Sequence, residues 1–134
     1  MKALLLGVPL FLLCFPTDQV IARSVQSPNK GVAQIVIGAK ASELERYASK
    51  ELQRYLYQLS GTLPDITIEP KSLDRPTFMI GQTRTNSIIA RLASTRQVDV
   101  SPSDPGPQGY VLKKTIVNNQ PVLVIAGSDE VGCL

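Results

Sequence analysis

The chain has 134 residues, with 14 Lys and Arg against 11 Asp and Glu for a formal charge of +3, and it contains neither histidine nor tryptophan. The charge is slight and forms no basic cluster interleaved with aromatics, which leaves nucleic-acid binding with little support. The lack of histidine removes Ser-His-Asp and Cys-His nucleophile systems, the commonest general base and the commonest zinc ligand. Few rings are available to stack on a sugar, which disfavours a strong stand-alone carbohydrate-binding face.

In chain order, Met1-Lys2 gives a short positive start, and Ala3 to Phe15 is an almost unbroken apolar run. Val20-Ile21-Ala22 suits signal peptidase, so residues 1–22 are expected to be a signal peptide cleaved after Ala22, leaving the protein secreted or periplasmic. The apolar run falls short of the roughly 20 residues that span a bilayer, so no stable membrane span is expected after cleavage. A lipoprotein anchor at Cys14 is opposed by Leu13, which stands where such a site needs a small residue. Cleavage removes Lys2 and Asp18, keeps the charge at +3, and leaves about 112 residues, enough for one domain. Cys133 is then the sole thiol, so no internal disulfide can form.

Residues 23–32 are polar, contain Pro28, and are expected to be a flexible lead-in. Ala33 to Gly38 is a short buried-type strand. A helix follows from Ser42, which forms a capping box with Glu45. Leu44, Ala48, Leu52, Tyr55, Leu56 and Leu59 recur at spacings of three and four and predict one apolar face. Gly61 is placed as the C-cap and Pro64 stops continuation. Ile66 to Glu69 alternates as a half-exposed strand, and Thr77 to Gly81 is a buried one. Asn86 caps a short helix over 87–92, and 98–108, with three prolines, is a loop. Gly109 to Val117 and Pro121 to Ala126 form a hairpin about Asn118-Asn119.

The Val122 to Ala126 run is apolar without alternation, as in a strand covered on both faces. Ser128 or Asp129 caps a helix with Glu130 in its first turn, and the body of that helix would lie past Leu134. The chain is therefore expected to be the front part of a longer protein, incomplete as a domain at its C-terminus, with a bare sheet face beside Val124. The order of elements predicts an α/β (α+β) sandwich: a mixed sheet with helices packed on it.

No catalytic, cofactor-binding or metal residue is assigned. Glycosidases need two carboxylates about 5–10 Å apart. Glu43 and Glu45 point to different helix faces, and Asp129 and Glu130 are helix-start charges. Gly127 to Gly132 resembles a phosphate loop but lacks the Lys-Ser/Thr that must follow. Tyr47 and Tyr57 are surface rings at helical spacing, and Tyr55 belongs to the core face. Lys50 and Arg54 form a solvated face, with Arg46 and Glu51 available for local pairs. Cys133 is expected to be a small buried residue.

The stretch "ASELERYASKELQRYLYQLSGTLP" (41–64), Ile80-Gly81, Gly109 to Lys113 and "VLVIAGSDEVG" (122–132) together resemble the N-terminal accessory domain of α-glucuronidases, which is similar to the second domain of bacterial β-hexosaminidases. The resemblance covers most of 33–134. It implies a hexosaminidase domain-2-like sandwich, non-catalytic, that packs on a (β/α)8 barrel carrying the catalytic carboxylates. The implied partner is that C-terminal catalytic domain of the same polypeptide, with glycan as a second candidate, no nucleic acid, and no cofactor. An independent extracellular glycan-binding module is the alternative. A small exported enzyme is a third class, opposed by the missing histidine and the unpaired carboxylates.

Overall fold

The computed structural model describes residues 32–134, so the expected signal peptide and nearly all of the lead-in lie outside the described residues. The elements are β1 (Gln34–Ile37), α1 (Glu43–Ser60), β2 (Ile66–Ile68), β3 (Thr77–Gly81), α2 (Ser87–Ser94), β4 (Tyr110–Val117) and β5 (Gln120–Gly127). One 3₁₀ turn, Val131–Cys133, follows β5. The strands form a single mixed sheet in the order β2-β1-β3-β5-β4. All neighbours pair in parallel except β4, which runs antiparallel to β5 at the edge. The predicted α+β sandwich is the fold observed.

Register assigns each strand residue to a face. Ile66, Ile35, Phe78, Leu123 and Lys114 lie in one row across the sheet, and Ile37, Ile80, Ile125 and Leu112 lie in another on the same face. Helix α1 covers this face through Leu52 and Leu56, packing with Ile35, Ile37 and Ile80. The opposite face carries Val36, Met79, Val122, Val124 and Ala126, packed against Ile89 and Leu92 of α2 and Val98 and Val100 of the following loop. Full burial of Met79, Ile80 and Ile89 stabilises the sandwich by about 1.5–3 kcal/mol per side chain.

The local signals act as the sequence predicts. The Ser42 hydroxyl accepts the Glu45 N–H, and the Glu45 carboxylate accepts the Ser42 N–H at 2.7 Å. Gly61 closes α1 at φ 70° with its N–H on Tyr57 O, a left-handed conformation that favours glycine. Asn86 Oδ1 accepts from Ile88 N and Ile89 N to start α2. Asn118 and Asn119 both take positive φ, 51° and 62°, which matches the strand twist of a two-residue hairpin.

Three expectations are corrected. Tyr55 and Leu59 belong to the periodic stripe of α1, yet they are 54% and 84% exposed. Eighteen helical residues span about 27 Å, whereas four- and five-residue strands span roughly 13–17 Å, so Leu59 stands past the end of the sheet, while Tyr55, beside the packed Leu56, is turned about 100° away from it around the helix. In their place, polar Glu45 and Ser49 are buried. The helix expected at Asp129 is a single 3₁₀ turn within this sequence, although Asp129 Oδ1 does accept the Gly132 N–H at its start. The bare sheet face lies opposite Val124: Val124 is fully buried under the α2 layer, while Tyr110, Leu112 and Ile116 on the other face are exposed.

Candidate functional site

The most highly connected polar group is Glu45, fully buried at the start of α1. Its Oε1 accepts Gln82 Nε2 at 2.9 Å and the Thr85 hydroxyl at 2.6 Å, and Oε2 takes the Ser42 N–H. Cys133 Sγ approaches Oε1 at 3.9 Å. Gln82 Oε1 in turn accepts Arg84 Nε. Four segments thus meet on one carboxylate: the start of α1, the end of β3, the loop into α2, and the 3₁₀ turn. The capping role of Glu45 was legible as Ser-x-x-Glu. Its bonds to Gln82 and Thr85 were not, because nothing local pairs residues some 40 positions apart.

The other acidic candidates do not form a pair with Glu45. Glu43 is exposed on a different side of α1 from Glu45. Asp129 accepts the Gln108 N–H at 2.8 Å and the Gly132 N–H at 2.9 Å. These backbone donors, Gln108 foremost, hold its carboxyl below the usual value of 3.8. Asp129 therefore ties the loop before β4 to the turn after β5, and Gly127 to Gly132 is a strand-to-turn connection with a carboxylate at its centre. Such a loop offers no cradle for phosphate. Burial pushes the Cys133 thiol up to about 12, with the Glu45 carboxylate adding to the effect, so it remains a protonated, buried small residue. Among the described residues no group of three His, Cys, Asp or Glu side chains is placed to hold a metal ion.

The tyrosines do not converge. Tyr47, Tyr55 and Tyr57 are each about half exposed, but at 100° per residue they spread over roughly 160° of helix circumference. Arg54 lies over the Tyr55 ring at 4.5 Å and pairs with Glu51 at 2.7 Å. The local pair of Glu51 is thus Arg54.

Two small crevices flank the start of α2: one runs from Glu69 along α2 to Val117 and Asn118, and the other opens where β1 and β3 end, the position at which open parallel sheets place ligands. They share Glu69 and Ser87 and measure about 240 and 230 Å³, below the roughly 300 Å³ of ordinary ligand pockets. Glu69, with φ 31°, accepts the Ser87 N–H at 2.5 Å and so already fills the start of α2. Sequence reading missed this role, since Glu69 lies 18 residues before the helix it caps.

A different surface is left open. Beside α1, over β4 and β5, lie two apolar hollows. Phe78, Pro121 and Leu123 line one with Lys114, and Tyr110, Leu112, Ile125 and Leu134 line the other. The arrangement offers apolar area for contact and no poised acid and base. Among the described residues no helix is long and apolar enough to cross a membrane. No curated protein is matched by the chain. The family model described as glycosyl hydrolase family 67 N-terminus matches residues 19–134, and the chain belongs to that family.

Proposed function

We propose that this chain is the non-catalytic accessory domain of an exported glycoside hydrolase, packing on and supporting the catalytic barrel of the same polypeptide during polysaccharide breakdown. Membership of the glycosyl hydrolase family 67 N-terminus carries the reading. The use of the carboxylates supports it: Glu45 and Asp129 are held by backbone and side-chain donors in structural roles. General acid–base chemistry needs a group free to exchange a proton with a substrate. The alternative, an independent glycan-binding module, draws only on tyrosines that face different directions.

The chain expressed with its own N-terminus in a bacterial host should be found outside the cytoplasm, beginning at Arg23. N-terminal sequencing that recovers Met1 in a soluble cytoplasmic pool refutes export. The same material should release no product from aryl glucuronides or aryl hexosaminides. Turnover that survives repurification, and disappears on substitution of a single Asp or Glu, refutes the accessory role.

A further inference from the structure

Strands β1 and β3 are neighbours in the sheet, yet the chain leaves them in opposite directions. From β1 it passes through α1 to β2 on one side, and from β3 through α2 towards β4 and β5 on the other. The two helices cover opposite faces. Open α/β sheets bind ligands beyond the carboxyl ends of the strands at such a reversal, and the crevice of about 230 Å³ opens there. Its lips are tied together, since Lys40 N–H donates to Thr85 O at 3.2 Å. Lys40 and Arg84 line it, and neither makes a salt bridge with a described residue. Arg84 is exposed but held in place. Its Nε donates to Oε1 of the buried Gln82 at 2.7 Å, and the Gln82 amide nitrogen donates to Glu45 at 2.9 Å. A buried relay thus orients a surface guanidinium and leaves its Nη groups for an outside acceptor. Asp129 feels the Arg84 charge, but its own oxygens take the Gln108 and Gly132 N–H groups.

We propose that this crevice binds a small hydroxycarboxylate, with Arg84 gripping the carboxylate and Lys40 supplying a second positive charge. The site stands on its own geometry and does not depend on the accessory-domain reading. A guanidinium presents parallel N–H donors that match the two oxygens of a planar carboxylate. A doubly charged phosphate fits less well, because two carboxylates are already close. Glu69 lies in the wall, and Glu45 lies behind Thr85, so each further negative charge on the ligand meets repulsion. Thr83 and Ser87 bring hydroxyl groups to the wall. A ligand with hydroxyls of its own replaces the water those groups lose, whereas a plain acid leaves them unpaired. The size favours a single ring or a short acid, since ligands of drug size take roughly 300–1,000 Å³. No aromatic ring lines the crevice for a nucleobase to stack on. The first N–H of α2 is not part of the site, because Glu69 already accepts it.

The test titrates the full chain with D-gluconate, L-lactate and D-glucuronate, followed by ligand-observed NMR. Acetate, D-glucose and inorganic phosphate are the controls. The expected result is saturable binding of at least one hydroxycarboxylate at about millimolar Kd, roughly fivefold or more tighter than acetate, with no binding of glucose. Arg84→Ala should weaken that binding about 10-fold or more. Arg84→Lys should do nearly the same, because an ammonium keeps the charge and loses the fork. Lys71→Ala, in the neighbouring crevice, should leave the affinity unchanged. Arg84 and Lys71 are both exposed, so the melting temperatures of these variants should stay within a few degrees of the parent. Failure of all three acids to bind overturns the proposal. So does affinity that survives either Arg84 substitution, or that falls equally with Lys71→Ala. Acetate binding as tightly as the hydroxy acids, or phosphate binding more tightly than any of them, marks a plain oxyanion site and also overturns it.

Discussion

Replacing Glu45 by alanine removes the acceptor on which four segments converge. The capping-box bond to Ser42 N–H accounts for about 1 kcal/mol. The Gln82 amide and the Thr85 hydroxyl, which bond Oε1 at 2.9 and 2.6 Å, would lose that partner in a buried site, at about 1–3 kcal/mol each. Together these predict a loss of about 3–7 kcal/mol, a large part of the roughly 5–15 kcal/mol that holds a domain together. At about 4–8 °C per kcal/mol for a domain of this size, the midpoint should fall by at least about 12 °C, read by circular dichroism with urea melts alongside. Glu45→Gln separates the terms. Its Oε1 still accepts from Thr85 and Gln82, while its amide nitrogen confronts the Ser42 N–H, so its cost should be only about 1–2 kcal/mol. An alanine variant within about 1 kcal/mol of the parent, or a glutamine variant as damaging as the alanine, would refute this account of the cluster.

Gly38→Ala should be at least as disruptive, because a Cβ there would lie 2.0 Å from Thr85 O and 2.8 Å from Asn86 Cα. These are backbone atoms that cannot rotate away, so a loss of about 3 kcal/mol or more in a urea melt is expected. The Cys133 thiol, pushed up to about 12 by burial, should react with iodoacetamide about 100-fold more slowly in the native protein than in urea at pH 8; comparable rates would show that the 3₁₀ turn opens freely. Asp129→Asn tests the clasp between Gln108 and Gly132. The folded carboxyl titrates below the usual 3.8, so its stabilisation is present above the ordinary carboxylate range and is lost as pH falls through the depressed value. The stability gap between parent and variant should stay constant from about pH 8 to pH 5 and close under more acid conditions.

Signals contained within a few residues were legible. Ser42 with Glu45, Gly61, Asn86 and Asn118-Asn119 each act where their chemistry requires, because a cap or a tight turn is decided by its own backbone groups. What escaped depends on distance along the chain. The stripe Leu44 to Leu59 correctly locates α1, but periodicity reveals neither how far the supporting strands extend, which leaves Leu59 exposed, nor how wide a face they cover, which leaves Tyr55 exposed. The uniform apolar run of β5 concealed its facing: Val122, Val124 and Ala126 meet α2, while Leu123 and Ile125 face the other way, and only the register with β3 and β4 decides this. Glu69 at the start of α2 and Gln82 against Glu45 are tertiary pairings with no local signature.

The rim of the sheet has its own consequence for solution behaviour. A mixed sheet of five strands ends in two rows of unpaired peptide groups, each able to template another chain. At one end β2 is only three residues long, and Pro64 and Pro70 lie on either side of it, so there is little ladder to extend. At the other end β4 is eight residues long, with Lys113 and Lys114 at its midpoint and both exposed. If two such strands met antiparallel about their centres, lysine would stand opposite lysine, and like charges directly across a ladder are destabilising. The fold can thus present its apolar hollows without growing sheet upon sheet, because the edge beside them repels its own copy.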